Sequence, residues 1–80
     1  MAKKVIVYMT QTCPYCHMAV DYLRKNKVNF VSYDVGVDER RAQEMIEKSG
    51  QMGVPVIDVD GKIIVGFDKP AIAKALGLKE

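Results

Sequence analysis

The chain has 80 residues, of which 49% are apolar and 28% charged, and its formal net charge is +2. This length predicts one small domain over residues 1–80 with a single core, and the composition is that of a globular protein rather than a disordered or fibrous one. The basic residues form no stripe of the size that binds nucleic acid, so we expect no nucleic-acid partner.

An apolar, β-branched run at Val5–Met9 predicts a strand that is buried on both faces of a sheet. The run is too short for a signal peptide, and no stretch approaches the roughly 18 apolar residues of a membrane span, so we expect no membrane association. The expected location is the cytoplasm. In such a reducing compartment a close pair of cysteines is more often catalytic or metal-binding than structural.

The residues from Pro14 onward predict a helix. Apolar side chains at helical spacing define its inner face: Cys16, Ala19, Val20 and Leu23. Because proline is best tolerated in a first turn, the helix should begin at or just after Cys13. A second strand is predicted at 29–35, so strand, helix and strand form a βαβ unit whose two strands run parallel.

A second helix and a hairpin follow this unit. Asp38 is the predicted N-cap of the helix, and Gly50 is its predicted C-terminal stop. Two β-prone runs at 56–59 and 62–65 are separated by an Asp-Gly dipeptide. That pattern is the strongest short signal for an antiparallel hairpin.

A third helix is predicted near the end of the chain, with Asp68 as its N-cap and Pro70 in its first turn. The element order is therefore βαβαββα. It predicts an α/β fold in which a four-stranded mixed sheet is flanked by three helices.

The stretch TCPYCH, residues 12–17, contains both cysteines and the single histidine of the chain. The βαβ unit places Cys13 at the N-terminal end of a helix, where free backbone N–H groups and the positive end of the helix dipole favour a thiolate. Cys13 is therefore the predicted nucleophile that attacks a substrate disulfide. Cys16, one turn further on, is the predicted thiol that displaces the product.

Other interpretations of the cysteine pair stay open at this point. C-x-x-C-H also attaches c-type haem, although that chemistry requires export. A zinc site within one chain would need a third or fourth ligand, and His17 points to another face of the helix than Cys16, so we expect no metal site. Two chains could share an iron-sulfur cluster through their Cys13 thiolates, which would make the protein a carrier. The cysteines could also be core residues that are adjacent by chance.

The chain resembles the glutaredoxins, which are small members of the thioredoxin fold. The resemblance covers nearly the whole chain and rests on CPYC at 13–16, GVPV at 53–56 and GFD at 66–68. It implies a thioredoxin-like fold and a thiol-disulfide oxidoreductase without a bound cofactor. The implied partners are glutathione, as reductant, and disulfide-containing or glutathionylated proteins. Because no exposed apolar stripe is evident, we expect a monomer.

The resemblance also implies a glutathione site beside the cysteine pair. Tyr15 would flank glutathione, and Gln51 would reach its glycyl carboxylate. Val54 would pair with it through its backbone, while Phe67 and Asp68 would meet its γ-glutamyl end. Three of these implied glutathione contacts also have a purely structural interpretation. Gln51 could be a solvated loop residue, Phe67 a core residue and Asp68 only a helix cap.

Pro55 stands at the start of a predicted strand, where a proline is tolerated. From the residues alone an ordinary trans bond is the commoner case. The resemblance instead implies a cis bond between Val54 and Pro55 that faces the cysteine pair.

Several positions depart from the usual glutaredoxin pattern. Thr10 replaces a lysine that lies three residues before the first cysteine, and Gly53 replaces a threonine. Val65 and Lys69 replace a glycine and an acidic residue around the GFD stretch. Similar departures occur in glutaredoxin-like redoxins that are reduced by thioredoxin reductase and donate electrons to ribonucleotide reductase. Thioredoxin reductase is therefore the alternative electron donor.

Overall fold

The computed structural model describes residues 4–78. Its elements, in chain order, are β1 (Val5–Met9), α1 (Pro14–Lys25), β2 (Val31–Asp34), α2 (Glu39–Ser49), β3 (Val56–Val59), β4 (Lys62–Val65) and α3 (Lys69–Leu76). The predicted order βαβαββα is confirmed. None of the helices within 4–78 is long and apolar enough to cross a membrane.

The four strands form one mixed sheet in the order β2-β1-β3-β4. β1 runs parallel to β2, as the βαβ unit predicts, and antiparallel to β3. β3 and β4 form the predicted antiparallel hairpin. Asp60 and Gly61 at its turn have φ values of 53° and 95°, which are the positive values that a tight hairpin turn requires at both central residues.

The core lies on both faces of this sheet. On one face Val5 and Val7 of β1 pack with the buried sides of α1 and α3, including Leu23 and Ile72. On the opposite face Ile6 and Tyr8 pack with Met45 of α2, among others. Successive residues of β1 point to opposite faces, so a strand between helix layers is apolar throughout. The prediction that β1 is buried on both faces is confirmed.

The second strand is shorter than predicted, because it covers residues 31–34 rather than 29–35. Its ladder with β1 begins at Val31 opposite Ile6, so residues 29 and 30 lie beside the start of β1 and outside the ladder. β2 is also an edge strand, and the side chains of Val31 and Ser32 are exposed. The predicted strand at 29–35 therefore extends beyond the four residues that pair with β1.

The helix termini follow the predicted capping residues. The Asp38 carboxylate accepts the Arg41 N–H at 3.1 Å, and the Asp68 carboxylate accepts the Ala71 N–H at 3.3 Å. α2 ends at Gly50, which has left-handed backbone angles. These caps fix where α2 and α3 begin, and they place the loops on either side of β3 and β4 near the carboxyl end of β1.

Candidate active site

Cys13 is the N-cap residue of α1. Its backbone is extended, with φ −95° and ψ 110°, and Pro14 occupies the first turn of the helix. The Cys13 sulfur accepts the Cys16 N–H at 3.2 Å, in the place that a serine or aspartate oxygen takes at an ordinary N-cap. The backbone donor thus points to the sulfur that would carry the negative charge of a Cys13 thiolate. Cys13 is only half-buried, so a substrate sulfur can reach it.

Cys16 lies one turn further along α1 and is fully buried. Burial, the hydrogen bond between its side chain and that of Cys13, and the charge of Cys13 raise the pKa of Cys16 from 9.0 to about 12, against a smaller opposing effect of the Thr10 backbone. The thiol of Cys16 therefore stays protonated near neutral pH. The two free thiols are chemically unequal: one is accessible and capped by a donor, and the other is buried and protonated.

A loop before β3 faces Cys13. The Val54-Pro55 peptide bond is cis, which confirms the prediction made from the family resemblance. The Cys13 thiol donates to the Val54 carbonyl oxygen at 3.9 Å, so the backbone of this loop touches the reactive sulfur. Pro55 is buried, and its carbonyl oxygen accepts the Gly66 N–H at 2.7 Å, which ties the loop to the end of β4.

The structure brings some of the proposed glutathione contacts to this site. Tyr15, in the first turn of α1, exposes 61% of its surface beside the cysteines. Phe67 follows Gly66, but its ring lies edge-on to Tyr22 with the centroids 6.0 Å apart and packs against the core. Asp68 caps α3. The contacts of Phe67 and Asp68 are therefore structural ones, with the core and with the start of α3.

Gln51 does not extend toward Cys13. Its side-chain amide is engaged with the backbone of Gly53, two residues further along the same loop. Sequence reasoning treated Gln51 as a contact for substrate and did not find this pairing. The one signal in the sequence is the glycine at position 53, where the family usually has a larger residue.

His17 is exposed on the first turn of α1. Its Nε2 lies 2.7 Å from the Gln11 carbonyl oxygen, and because a carbonyl can only accept, Nε2 carries a proton and donates it. This bond ties the loop before Cys13 to the helix. Across residues 4–78 no group of three or more histidine, cysteine, aspartate and glutamate side chains is arranged to hold a metal ion.

A partly buried charged cluster on the α2 face of the sheet was not predicted. Lys48 donates to Asp58 at 2.7 Å and to the Tyr8 hydroxyl at 2.8 Å, and the Tyr8 hydroxyl donates to Glu44. Burial opposes the charge of Lys48, but the bonds to Asp58 and Tyr8 outweigh it and raise its pKa. The signal in the sequence is an aspartate within the apolar strand β3. The cluster attaches α2 to the centre of the sheet.

The comparison with known families identifies the family to which the chain belongs. The model of the family described as Glutaredoxin matches residues 5–64. The chain belongs to the glutaredoxin family. The members of this family are thiol-disulfide oxidoreductases. The site geometry is therefore to be considered in terms of redox chemistry at a cysteine pair.

Two relatives and one solved structure are similar to this glutaredoxin over most of its length. It is 44% identical over 70 residues to a glutaredoxin-like 8.6 kDa protein in the rubredoxin operon of Clostridium pasteurianum, covering 88% of this chain and 93% of that one. It is 38% identical over 64 residues to glutaredoxin 3 of Escherichia coli, covering 80% and 77%. The crystal structure of a glutaredoxin from Methanosarcina mazei matches with a TM-score of 0.85 at 27% identity, covering 94% and 79%. The thioredoxin-like fold is thereby confirmed.

Proposed function

We propose that this glutaredoxin reduces protein disulfides and glutathione mixed disulfides, with Cys13 as the nucleophile, Cys16 as the resolving thiol and glutathione as the reductant. The observation that carries the proposal is the inequality of the two thiols. Cys13 is half-buried and accepts a backbone N–H, whereas Cys16 is fully buried with a raised pKa. A nucleophile and a resolving group need these two different environments.

In the first proposed step, the Cys13 thiolate attacks one sulfur of the substrate disulfide. A bond forms between Cys13 and that sulfur, the substrate S–S bond breaks, and the second sulfur leaves as a thiolate that takes a proton from solvent. The Val54 carbonyl lies 3.9 Å from the Cys13 sulfur, so a substrate chain would meet the loop backbone as it approaches.

In the second proposed step, Cys16 loses its proton to solvent and attacks the Cys13 sulfur. The substrate leaves as its second thiol, and a Cys13-Cys16 disulfide remains. Two glutathione molecules then reduce this disulfide and become one glutathione disulfide. When the substrate is a glutathione mixed disulfide, one glutathione can instead attack the Cys13 adduct directly. The cycle uses no bound cofactor, and it suits a reducing compartment such as the cytoplasm.

The proposed glutathione position lies between the first turn of α1 and the loop before β3. Tyr15 would flank it, the Val54 backbone would pair with it, and Phe67 and Asp68 would lie at its γ-glutamyl end. The exposed ring of Tyr15 and the approach of Val54 to Cys13 support this position. Gln51 would have to release Gly53 before it could contact the glycyl carboxylate.

That engagement of Gln51 is the observation that favours a second candidate. In the alternative, thioredoxin reductase reduces the Cys13-Cys16 disulfide directly and the protein donates electrons to ribonucleotide reductase. Thr10 and Lys69 support it as well, because they replace groups that would complement glutathione. Both candidates use the same two cysteines, and the electron donor is the difference that an assay can test most directly.

NADPH consumption separates the two candidates. One assay contains a small glutathione mixed disulfide with glutathione and glutathione reductase, and the other contains a protein disulfide with thioredoxin reductase alone. We expect turnover in the first assay that depends on Cys13. Turnover only in the second assay, with a protein disulfide as acceptor, would replace the proposal by its alternative. Visible absorbance of anaerobically purified protein would instead indicate an iron-sulfur or haem carrier.

A further inference from the structure

Gln51 and Gly53 form a closed pair within the loop that faces Cys13. The Gly53 N–H donates to the Gln51 Oε1 at 2.5 Å, and the Gln51 Nε2 donates to the Gly53 carbonyl oxygen at 2.9 Å. One side-chain amide thus satisfies both backbone groups of one residue, as a neighbouring strand would. The Gly53 N–H is therefore not free for a substrate backbone, and the Gly53 carbonyl oxygen already accepts one hydrogen bond.

The pair is anchored to the end of α2. The Ser49 hydroxyl donates to the Met45 carbonyl oxygen at 2.7 Å and accepts the Gln51 N–H at 3.4 Å. The N–H of Gly50 donates to the Ile46 carbonyl oxygen at 2.7 Å, so the helix end itself is fixed. Contacts therefore run without a break from α2 through Ser49 and Gln51 to Gly53, the residue directly before Val54.

The pair requires glycine at position 53. A Cβ atom there would lie 2.7 Å from the Gln51 Oε1, closer than real Cβ contacts come. The backbone conformation does not explain the glycine, because Gly53 is not among the described residues with positive φ. The contact with Gln51 is therefore the physical reason for a residue without a side chain at this position.

From these contacts we propose that Gln51 is a positioning residue: by pairing with Gly53 it holds the Gly53-Val54 backbone against Cys13, and it does not itself contact the substrate. This inference rests on the proposed thiol-disulfide exchange at Cys13. The Val54 carbonyl, 3.9 Å from the Cys13 sulfur, becomes the fixed backbone group that a substrate chain meets. Loss of the pair should weaken binding of peptide disulfides and leave the reactivity of the sulfur itself unchanged.

Amide hydrogen exchange tests the pair without any use of activity. The amide of Gly53 is exposed to solvent apart from its bond to Gln51, so its exchange should be slow in the wild type. In Gln51→Ala we expect that exchange to accelerate at least about fivefold. Gln43→Ala is the matched control, because Gln43 is an exposed glutamine on α2 outside this loop, and it should leave the exchange of Gly53 unchanged.

Single-turnover kinetics test the positioning role. Pre-reduced protein is mixed with increasing concentrations of a disulfide-bonded peptide, which needs no reductase. For Gln51→Ala we expect the half-saturating peptide concentration to rise about threefold to tenfold, with the maximal rate unchanged. The rate of Cys13 alkylation by iodoacetamide should also stay unchanged, since iodoacetamide has no peptide chain to align.

A double-mutant cycle completes the test. Gly53→Ala should raise the half-saturating concentration as Gln51→Ala does, because its methyl group displaces the Gln51 amide. In the double variant the second substitution should add little, because the group that clashes is already gone.

Additive effects in the cycle, or equal behaviour of Gln51→Ala and Gln43→Ala, would overturn the proposal. If the wild-type protein failed to react with any peptide disulfide, the proposed function itself would be wrong, and the exchange of Gly53 would still decide whether the pair exists.

Discussion

The burial of Cys16, the proposed resolving thiol, should make the second proposed step strongly dependent on pH. Burial is the largest of the effects that raise the pKa of Cys16 from 9.0 to about 12. At pH 7 the thiolate fraction of Cys16 is then about 1,000-fold smaller than that of a cysteine with a pKa of 9.0. When Cys13 enters a mixed disulfide, its hydrogen bond and charge no longer act on Cys16, but burial remains. We therefore expect the resolution rate to rise about tenfold per pH unit between about pH 7 and pH 9.

A stopped-flow experiment can follow the two steps separately. Reduced protein is mixed with an aromatic disulfide whose thiolate product absorbs visible light. The first equivalent of product reports the attack by Cys13, at a rate that depends on reagent concentration. The second equivalent reports the attack by Cys16, at a rate that does not. Cys16→Ser should release only the first equivalent, which assigns the second phase.

A second phase that reached its plateau below pH 8 would refute this reasoning. It would mean that the buried thiol ionises more easily than a solvated one, or that its proton is removed by a group that the contacts of Cys16 do not include. The first phase, recorded in the same trace, controls for loss of folded protein at high pH.

Three further predictions concern the cysteine pair and the core. Cys13→Ser should abolish activity, whereas Cys16→Ser should keep activity on glutathione mixed disulfides and lose direct reduction of protein disulfides. Equal loss of activity in both variants on a glutathionylated peptide would contradict the route in which glutathione attacks the Cys13 adduct without Cys16. Lys48→Met should lower the free energy of unfolding, measured by urea titration, by about 1–3 kcal/mol, because it leaves the buried carboxylate of Asp58 with only one N–H donor. Adding Asp58→Asn to Lys48→Met should restore part of this loss. Leu23→Ala, at a fully buried position of α1, should lower the free energy of unfolding by about 2–5 kcal/mol in the same titrations. A decrease smaller than that of a surface alanine variant would show that the core collapses around the cavity.

Local signals in the sequence were sufficient for most of the fold. Asp38 and Asp68 cap helices because their side chains reach backbone groups only three residues away, and no distant residue is needed. The turn at Asp60 and Gly61 depends on the backbone angles of those two residues alone. The bounds of the second strand were wrong for the opposite reason, because they depend on the ladder with β1, which pairs residues as distant in sequence as Ile6 and Val31.

The candidate active site likewise combines features that follow from local sequence with features that depend on tertiary packing. The start of the helix at Cys13 and the position of Cys16 one turn later on its inner face could be predicted, because both depend on spacing within one helix. The depth at which Cys16 is buried and the approach of Val54 to the Cys13 sulfur could not, because they depend on tertiary packing. The packing of the loop before β3 also places the Gln51 amide on the backbone of Gly53. These outcomes depend on atoms from separate elements, which reach their positions only when the helices and the loop before β3 pack around the sheet. That packing sets the free energy of a buried charge or of a side-chain rotamer.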